Sequence, residues 1–252
     1  MRPPRWSISA HALSALLVDL TIAAPALAVA PAPARPLHLS TSGTHNGESA
    51  PGGKLGVNQR EEENSNSQSA ARLQRGVRAY EANRLDEAVA EFSAIIEANP
   101  KSFPAFYNRG NTHYRKGKIS EAIADYTTAI ELSPTFAWMF ISRGTAYTIV
   151  RKFDLALADF NEAVRLDPAN GAAYFNRGLL HFKEGRHAEA IEDQTIALQL
   201  DPTDAEAYAA RGAAYEELSF ADRAIADYRK ALRIDRGNQL ATSRLKRLGL
   251  NP

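Results

Sequence analysis

The sequence predicts an all-α chain of antiparallel helix pairs, preceded by a segment that takes no part in the fold. Three observations predict it. Residues 69–238 repeat with a constant period, each period holds two helical patterns split by a turn signal, and the first 68 residues carry neither feature. Composition sets the limits around this reading. Apolar residues make up 44% and charged residues 23%, as in a soluble folded protein. With 30 Lys and Arg against 29 Asp and Glu, the chain has no electrostatic preference for nucleic acid or an anionic membrane. Cysteine is absent, which excludes disulfides, thiolate metal sites and cysteine nucleophiles. That absence suits a reducing cytosol and an exported protein equally.

Residues 1–30 read as a signal peptide. Arg2 and Arg5 precede an apolar run from Ala10 to Ala30, which ends in the small-x-small triplet Ala26-Leu27-Ala28. Asp19 opposes the reading, since an acid at the centre of an inserted helix costs about 2.5–3.5 kcal/mol. The expectation is export to the periplasm or exterior; the alternative is a cytoplasmic protein with a disordered leader. Asp19 and Pro25 argue against a stable membrane span. Residues 31–68, rich in Pro, Gly, Ser and Asn, read as a disordered linker that cannot bury enough apolar surface to offset the entropy of ordering.

From residue 69 the period is explicit. Arg-Gly pairs stand at Arg75-Gly76, Arg109-Gly110, Arg143-Gly144, Arg177-Gly178 and Arg211-Gly212, their glycines 34 residues apart each time. Each glycine is followed at fixed spacing by Ala88, Ala122, Ala156, Ala190 or Ala224, then by Phe92, Tyr126, Phe160, Gln194 or Tyr228. Prolines close the first four units at Pro100, Pro134, Pro168 and Pro202, where the residue before each is pushed out of the helical region. Turns are expected near Asn83, Gly117, Arg151, Gly185 and Ser219, separating a helix A from a helix B in every unit. Acids open each helix B, at Asp86-Glu87, Glu121, Asp154, Glu189 and Asp222, opposite the positive helix end. Ser102, Asn170, Asp204 and Asn238 stand where N-caps are wanted. Residues 239–249 place Leu240, Leu245 and Leu248 on one face, with Arg244, Lys246 and Arg247 elsewhere. They predict a capping helix whose basic cluster is a solvated outer face.

This order of residues resembles the tetratricopeptide repeat: Leu-Gly, Tyr, Ala-x3-Phe and Pro within 34 residues. Here Arg stands for the Leu, His113 and His181 for the Tyr, Gln194 for an aromatic, and Arg236 for the last proline. The resemblance divides the chain into repeats at 69–102, 103–136, 137–170, 171–204 and 205–238, with 239–252 as capping helix and tail. It implies a right-handed superhelical solenoid whose helices A line a concave face.

The repeated arginine finds an acid sixteen residues later in every unit: Glu91, Asp125, Asp159, Asp193 and Asp227. With helices A and B antiparallel, these positions face one another and predict a structural ladder of bidentate Arg–carboxylate pairs. A feature repeated five times is scaffold rather than active site. His113 and His181 lie two repeats apart, too far to share an ion, and no metal or cofactor site is expected. No catalytic motif occurs, so the chain is not read as an enzyme.

On the family's pattern, helix-A offsets place Leu73, Val77, Tyr80, Tyr107, Asn108, Asn111, Tyr114, Trp138, Ile141, Phe175, Asn176, Leu179, Phe182 and Glu206 toward a concave groove. The resemblance implies a protein-interaction scaffold that holds a peptide on the aromatics. The asparagines would bind its backbone, and Glu206, Glu216 and Glu217 would meet a basic end. At the twelfth offset, the alternative is packing between repeats. Two other classes stay open: an accessory protein handling a lipid or small hydrophobe in the same groove, and a nucleic-acid-binding solenoid, which the charge balance disfavours.

Overall fold

The computed structural model describes residues 57–252. The expected signal peptide at 1–30, and the expected linker as far as residue 56, lie outside the described residues. Among the described residues there are eleven α-helices and no strand, falling into two compact units.

The unit ending at Pro134 holds α1 (Val57–Glu81), α2 (Leu85–Ala98), α3 (Phe103–Arg115) and α4 (Ile119–Leu132). Helix α1 packs on α2, α2 on α3 and α3 on α4, while α1 also touches α3. One expectation is corrected here: residues 57–68, read as part of the disordered linker, belong to α1. Their sequence has no apolar period. Once the packed half of α1 is formed, however, each further turn costs only propagation, and Gln59-Arg60-Glu61-Glu62-Glu63 is a run of good helix formers. Phe92 at the core of this unit is fully buried, with Leu73, Val77 and Ile95 around it.

The unit from Thr135 onward holds α5 (Ala137–Ile149), α6 (Phe153–Leu166), α7 (Gly171–Lys183), α8 (His187–Leu200), α9 (Ala205–Glu217), α10 (Ala221–Ile234) and α11 (Gln239–Arg247). Consecutive helices pack in the pairs α5–α6, α7–α8 and α9–α10, with α6 on α7 and α8 on α9 joining the pairs; α5 and α7, and α7 and α9, also lie side by side. A glycine on each helix A lets a helix-B side chain lie across it, a ring at Gly144 and Gly212 and the Gln194 amide at Gly178: a Cβ on Gly144 would sit 2.8 Å from Phe160 Cε1. Phe160 and Tyr228 are fully buried in this way.

Each A–B turn in both units has the same hydrogen-bond signature. The backbone N–H of Arg84, Lys118, Lys152, Arg186 and Phe220 donates to the carbonyl five residues back, closing a Schellman-type cap. The residue before each donor has positive φ: Asn83 at 60°, Gly117 at 75°, Arg151 at 60°, Gly185 at 77° and Ser219 at 64°. Arg151 and Ser219 accept a left-handed conformation that costs a side-chain-bearing residue about 1–2 kcal/mol. Two caps differ from expectation. Asp204 and Asn238 accept from the N–H of Ala207 and Ala241, but the side chains of Ser102 and Asn170 cap nothing. Asn170 turns its amide to Asp167 instead.

Helix α11 packs on α10 and α9, burying Ala241 and Leu245. Its faces are not those expected. Leu248 is exposed, whereas Arg244, read as solvated, is 3% exposed. Its guanidinium reaches Glu216 Oε2 at 3.3 Å and so enters the fold as half of an ion pair.

Candidate functional site

The repeated arginines lie at the same place on every helix A. In the first unit Arg75 is bidentate to Glu91 (Nε to Oε1 2.8 Å, Nη2 to Oε2 3.2 Å) and Arg109 to Asp125 (2.9 and 2.8 Å). In the second, Arg143 pairs with Asp159 (2.9 and 2.7 Å), Arg177 with Asp193 (2.9 and 2.7 Å) and Arg211 with Asp227 (2.8 and 2.9 Å). The fork geometry of guanidinium and carboxylate uses two parallel charge-assisted bonds, which is why a lysine would not serve. Four of the five carboxylates are buried and Glu91 is half-buried beside an exposed Arg75, so the terminal rung is the wettest.

The arginines do more than the spacing indicated. The remaining Nη1 of Arg109 donates to Ser93 Oγ at 3.0 Å, that of Arg177 to Asn161 Oδ1 at 2.8 Å, and that of Arg211 to Thr195 Oγ1 at 3.2 Å. Each of these acceptors lies on helix B of the preceding repeat, so one side chain ties its own helix pair to its neighbour. The readable signal was a small polar residue two positions after each of the first four carboxylates: Ser93, Thr127, Asn161 and Thr195. Aromatic rings also flank the guanidiniums, Phe106 beside Arg109, Tyr174 beside Arg177, and Tyr208 and Tyr215 beside Arg211, at 5.5–5.9 Å. The hydrogen bonds that Arg177 and Arg211 donate to Asp193 and Asp227 raise their already high pKa values. Burial pushes Asp159 above the usual carboxylate value, opposed by its bonds to Arg143.

The residues expected along the groove divide sharply by burial. In the first unit Leu73, Val77, Tyr80, Tyr107, Asn108 and Asn111 are buried, and Tyr114 is partly exposed. Arg115 lies over the Tyr80 ring at 4.9 Å and donates to its carbonyl. Asn111 Oδ1 accepts from the Tyr126 hydroxyl at 2.8 Å. In the second unit Ile141, Asn176, Leu179 and Phe182 are buried, and Trp138, Phe175 and Glu206 are partly exposed. The groove assignment is therefore corrected for Leu73, Val77, Tyr80, Tyr107, Asn108, Asn111, Ile141, Asn176, Leu179 and Phe182. Within each unit the helices A lie against one another and against the helices B, and these side chains are enclosed in that packing.

The acidic end is corrected too. Glu206 Oε1 accepts from Asn238 Nδ2 at 3.0 Å, and burial raises its pKa. Glu216 accepts from the Tyr228 hydroxyl at 2.7 Å and pairs with Arg244 and Arg247. Although burial pushes Glu216 upward, these partners hold its pKa below the usual value. Both carboxylates are thus engaged with groups of their own chain.

What remains on the helix-A side of the second unit is a short aromatic surface. Trp138 on α5 stacks on Phe136, their centroids 5.3 Å apart. Phe175 lies on α7, which packs directly beside α5. Next to it, the buried Asn176 donates from Nδ2 to the Ala172 carbonyl at 2.8 Å, and its enclosed Oδ1 has no partner among the described residues. Such a surface can hold apolar side chains, but it assembles no nucleophile and base. Among the described residues no three His, Asp or Glu side chains gather as a metal site, and no helix is long and apolar enough to cross a membrane.

Three tetratricopeptide repeat models match the chain, at residues 103–136, 143–205 and 205–238. Comparison with curated protein sequences finds no match. Among solved structures, YrrB, described as a TPR protein with an unusual peptide-binding site, is similar at 22% identity and a TM-score of 0.60, over 76% of this chain and 98% of its own. TTC0263, a thermophilic TPR protein in Thermus thermophilus, has 24% identity and a TM-score of 0.58, over 71% and 97%. MamA from Desulfovibrio magneticus RS-1 has 17% identity and a TM-score of 0.62, over 68% and 97%. The repeat models, the 34-residue period and the stacked helix pairs agree: the chain belongs to the tetratricopeptide repeat family.

Proposed function

We propose that the chain is a non-catalytic interaction scaffold that binds a peptide segment of a partner protein on the helix-A side of residues 135–252. The observation that carries this reading is the partial exposure of Trp138 and Phe175 on the adjoining helices α5 and α7. Rigid aromatic rings half out of water are the usual anchors of a protein interface, because they bury much area for few lost rotamers. The likeness to YrrB, whose description names a peptide-binding site, supports the same class of ligand.

Peptides selected on the full chain from a random display library test this. They should carry apolar side chains, and the double variant Trp138→Ala, Phe175→Ala should bind them at least tenfold more weakly with its helical content intact. Undiminished binding would move the interface off this face. The proposed place of action is outside the cytoplasm, on the strength of the basic start and small-x-small exit of residues 1–30. Cell fractionation checks it, and an unprocessed cytoplasmic chain would overturn it.

A further inference from the structure

Charge is unevenly distributed at the C-terminal end. Residues 221–252 carry eight Lys and Arg against three Asp and Glu, whereas the rest of the chain carries 22 against 26. Four of those eight cations are engaged, Arg223 lying over the Tyr215 and Phe220 rings and Lys230 over Tyr208. Arg244 and Arg247 pair with Glu216, while the nearby carboxylate of Asp227 is taken by Arg211. Arg229, Arg233 and Arg236 are different: all three are exposed and have no carboxylate partner among the described residues. Together with Leu232, Thr242 and Pro252 they line an open cleft of about 510 Å³ beside α10.

The fold alone does not account for this grouping. Arg233 lies in the last turn of α10, where the helix end favours a cation. Arg229 lies one turn earlier, so the two form a like-charged i, i+4 pair that opposes the helix. Arg236 stands just beyond the C-cap, at the position where the first four repeats have proline. Every repeated arginine of the ladder is neutralised by a carboxylate; these three share a cleft and leave their charge unanswered.

We infer that this cleft docks an acidic segment of a partner polypeptide, at a surface separate from the Trp138 and Phe175 face. Guanidinium forks recognise carboxylates by two parallel bonds, and three of them around one cleft match two or three carboxylates on a short segment. Leu232, half-buried at the cleft, offers a place for an apolar side chain between those acids. The cluster is too small for a nucleic-acid track, which needs a basic stripe following a phosphate backbone.

Fluorescence anisotropy on the full chain tests the assignment, using a labelled peptide of alternating glutamate and leucine and its glutamine counterpart. The acidic peptide should bind at near-physiological salt and the glutamine peptide at least tenfold more weakly. Arg229→Gln, Arg233→Gln and Arg236→Gln combined should also weaken the acidic peptide at least tenfold without changing the circular dichroism spectrum. Should the triple variant misfold, Arg233→Glu alone must still weaken binding severalfold. Trp138→Ala with Phe175→Ala should leave it unchanged, which separates this surface from the proposed peptide face. No binding, equal binding of the glutamine peptide, equal binding by the arginine variants, or tighter binding of single-stranded oligothymidine or anionic vesicles through the same arginines would overturn the inference.

Discussion

Removing the Asp193 carboxylate isolates the contribution of one rung. Asp193 is 4% exposed and takes two bonds from Arg177, whose side chain is 19% exposed. Breaking a buried ion pair by deleting one partner costs about 3–5 kcal/mol, because the other charge is left in a poor solvent. Arg177 is not wholly stranded: it keeps Asn161 at 2.8 Å, lies over Tyr174 and can reach water. The loss expected for Asp193→Ala is therefore about 2–3 kcal/mol, below the fully buried limit. For a folded region of this size that corresponds to a fall in Tm of about 5–10 °C. Urea unfolding followed by circular dichroism measures it, with a double-mutant cycle against Arg177→Met to separate the pair from local repacking. Asp193→Ala should lose more stability than Glu91→Ala, since the Arg75–Glu91 rung is wetter. A loss below about 0.5 kcal/mol, or additive single variants, would refute the view that the rungs hold the repeats together.

Two further perturbations have directions fixed by the structure. Burial lowers the pKa of both His113 and His181 below the ordinary 6.5, outweighing the attraction of Asp125 and Asp193 at 3.8 and 3.7 Å, and Arg186 adds to the lowering at His181. The fold therefore holds them neutral, and the unfolded chain binds more protons: their stabilisation is complete above pH 6.5 and is lost as pH falls through the depressed folded values. Urea midpoints taken from pH 7.5 downward should show this loss, and His113→Tyr with His181→Tyr, the residue at the matching positions Tyr147 and Tyr215, should reduce it. Gly144→Ala and Gly178→Ala form an internal comparison. The first drives a methyl against the buried Phe160 ring and should cost about 1–3 kcal/mol; the second meets the end of the Gln194 side chain and should cost less by thermal melting.

The parts of the fold legible in the sequence were those encoded at fixed local spacing. The run from Gly144 through Ala156 to Phe160 and Pro168 marks a close helix contact, its filler and a helix stop. The five positive-φ turns fall where the sequence placed them, even at Arg151, which is not a turn residue by composition. Long-range partners were harder to read. Arg244 looks like part of a basic surface because its partner Glu216 lies 28 residues away. The helix-A aromatics were the least legible. Tyr107 and Phe182 fill the protein interior while Trp138 and Phe175 retain exposure, yet all four satisfy the same helical period. Which side of the period faces a neighbouring helix A depends on stacking, which one repeat's sequence does not record.

Site-specific photo-crosslinking in the native cell tests the central claim most directly, with the crosslinker at Trp138 and a matched control at the exposed Ala158 on α6. The scaffold account predicts one or two dominant protein adducts from position 138 that disappear on Phe175→Ala, and none of them from position 158. The same adducts from position 158 alone, or only the chain linked to itself from position 138, would contradict it.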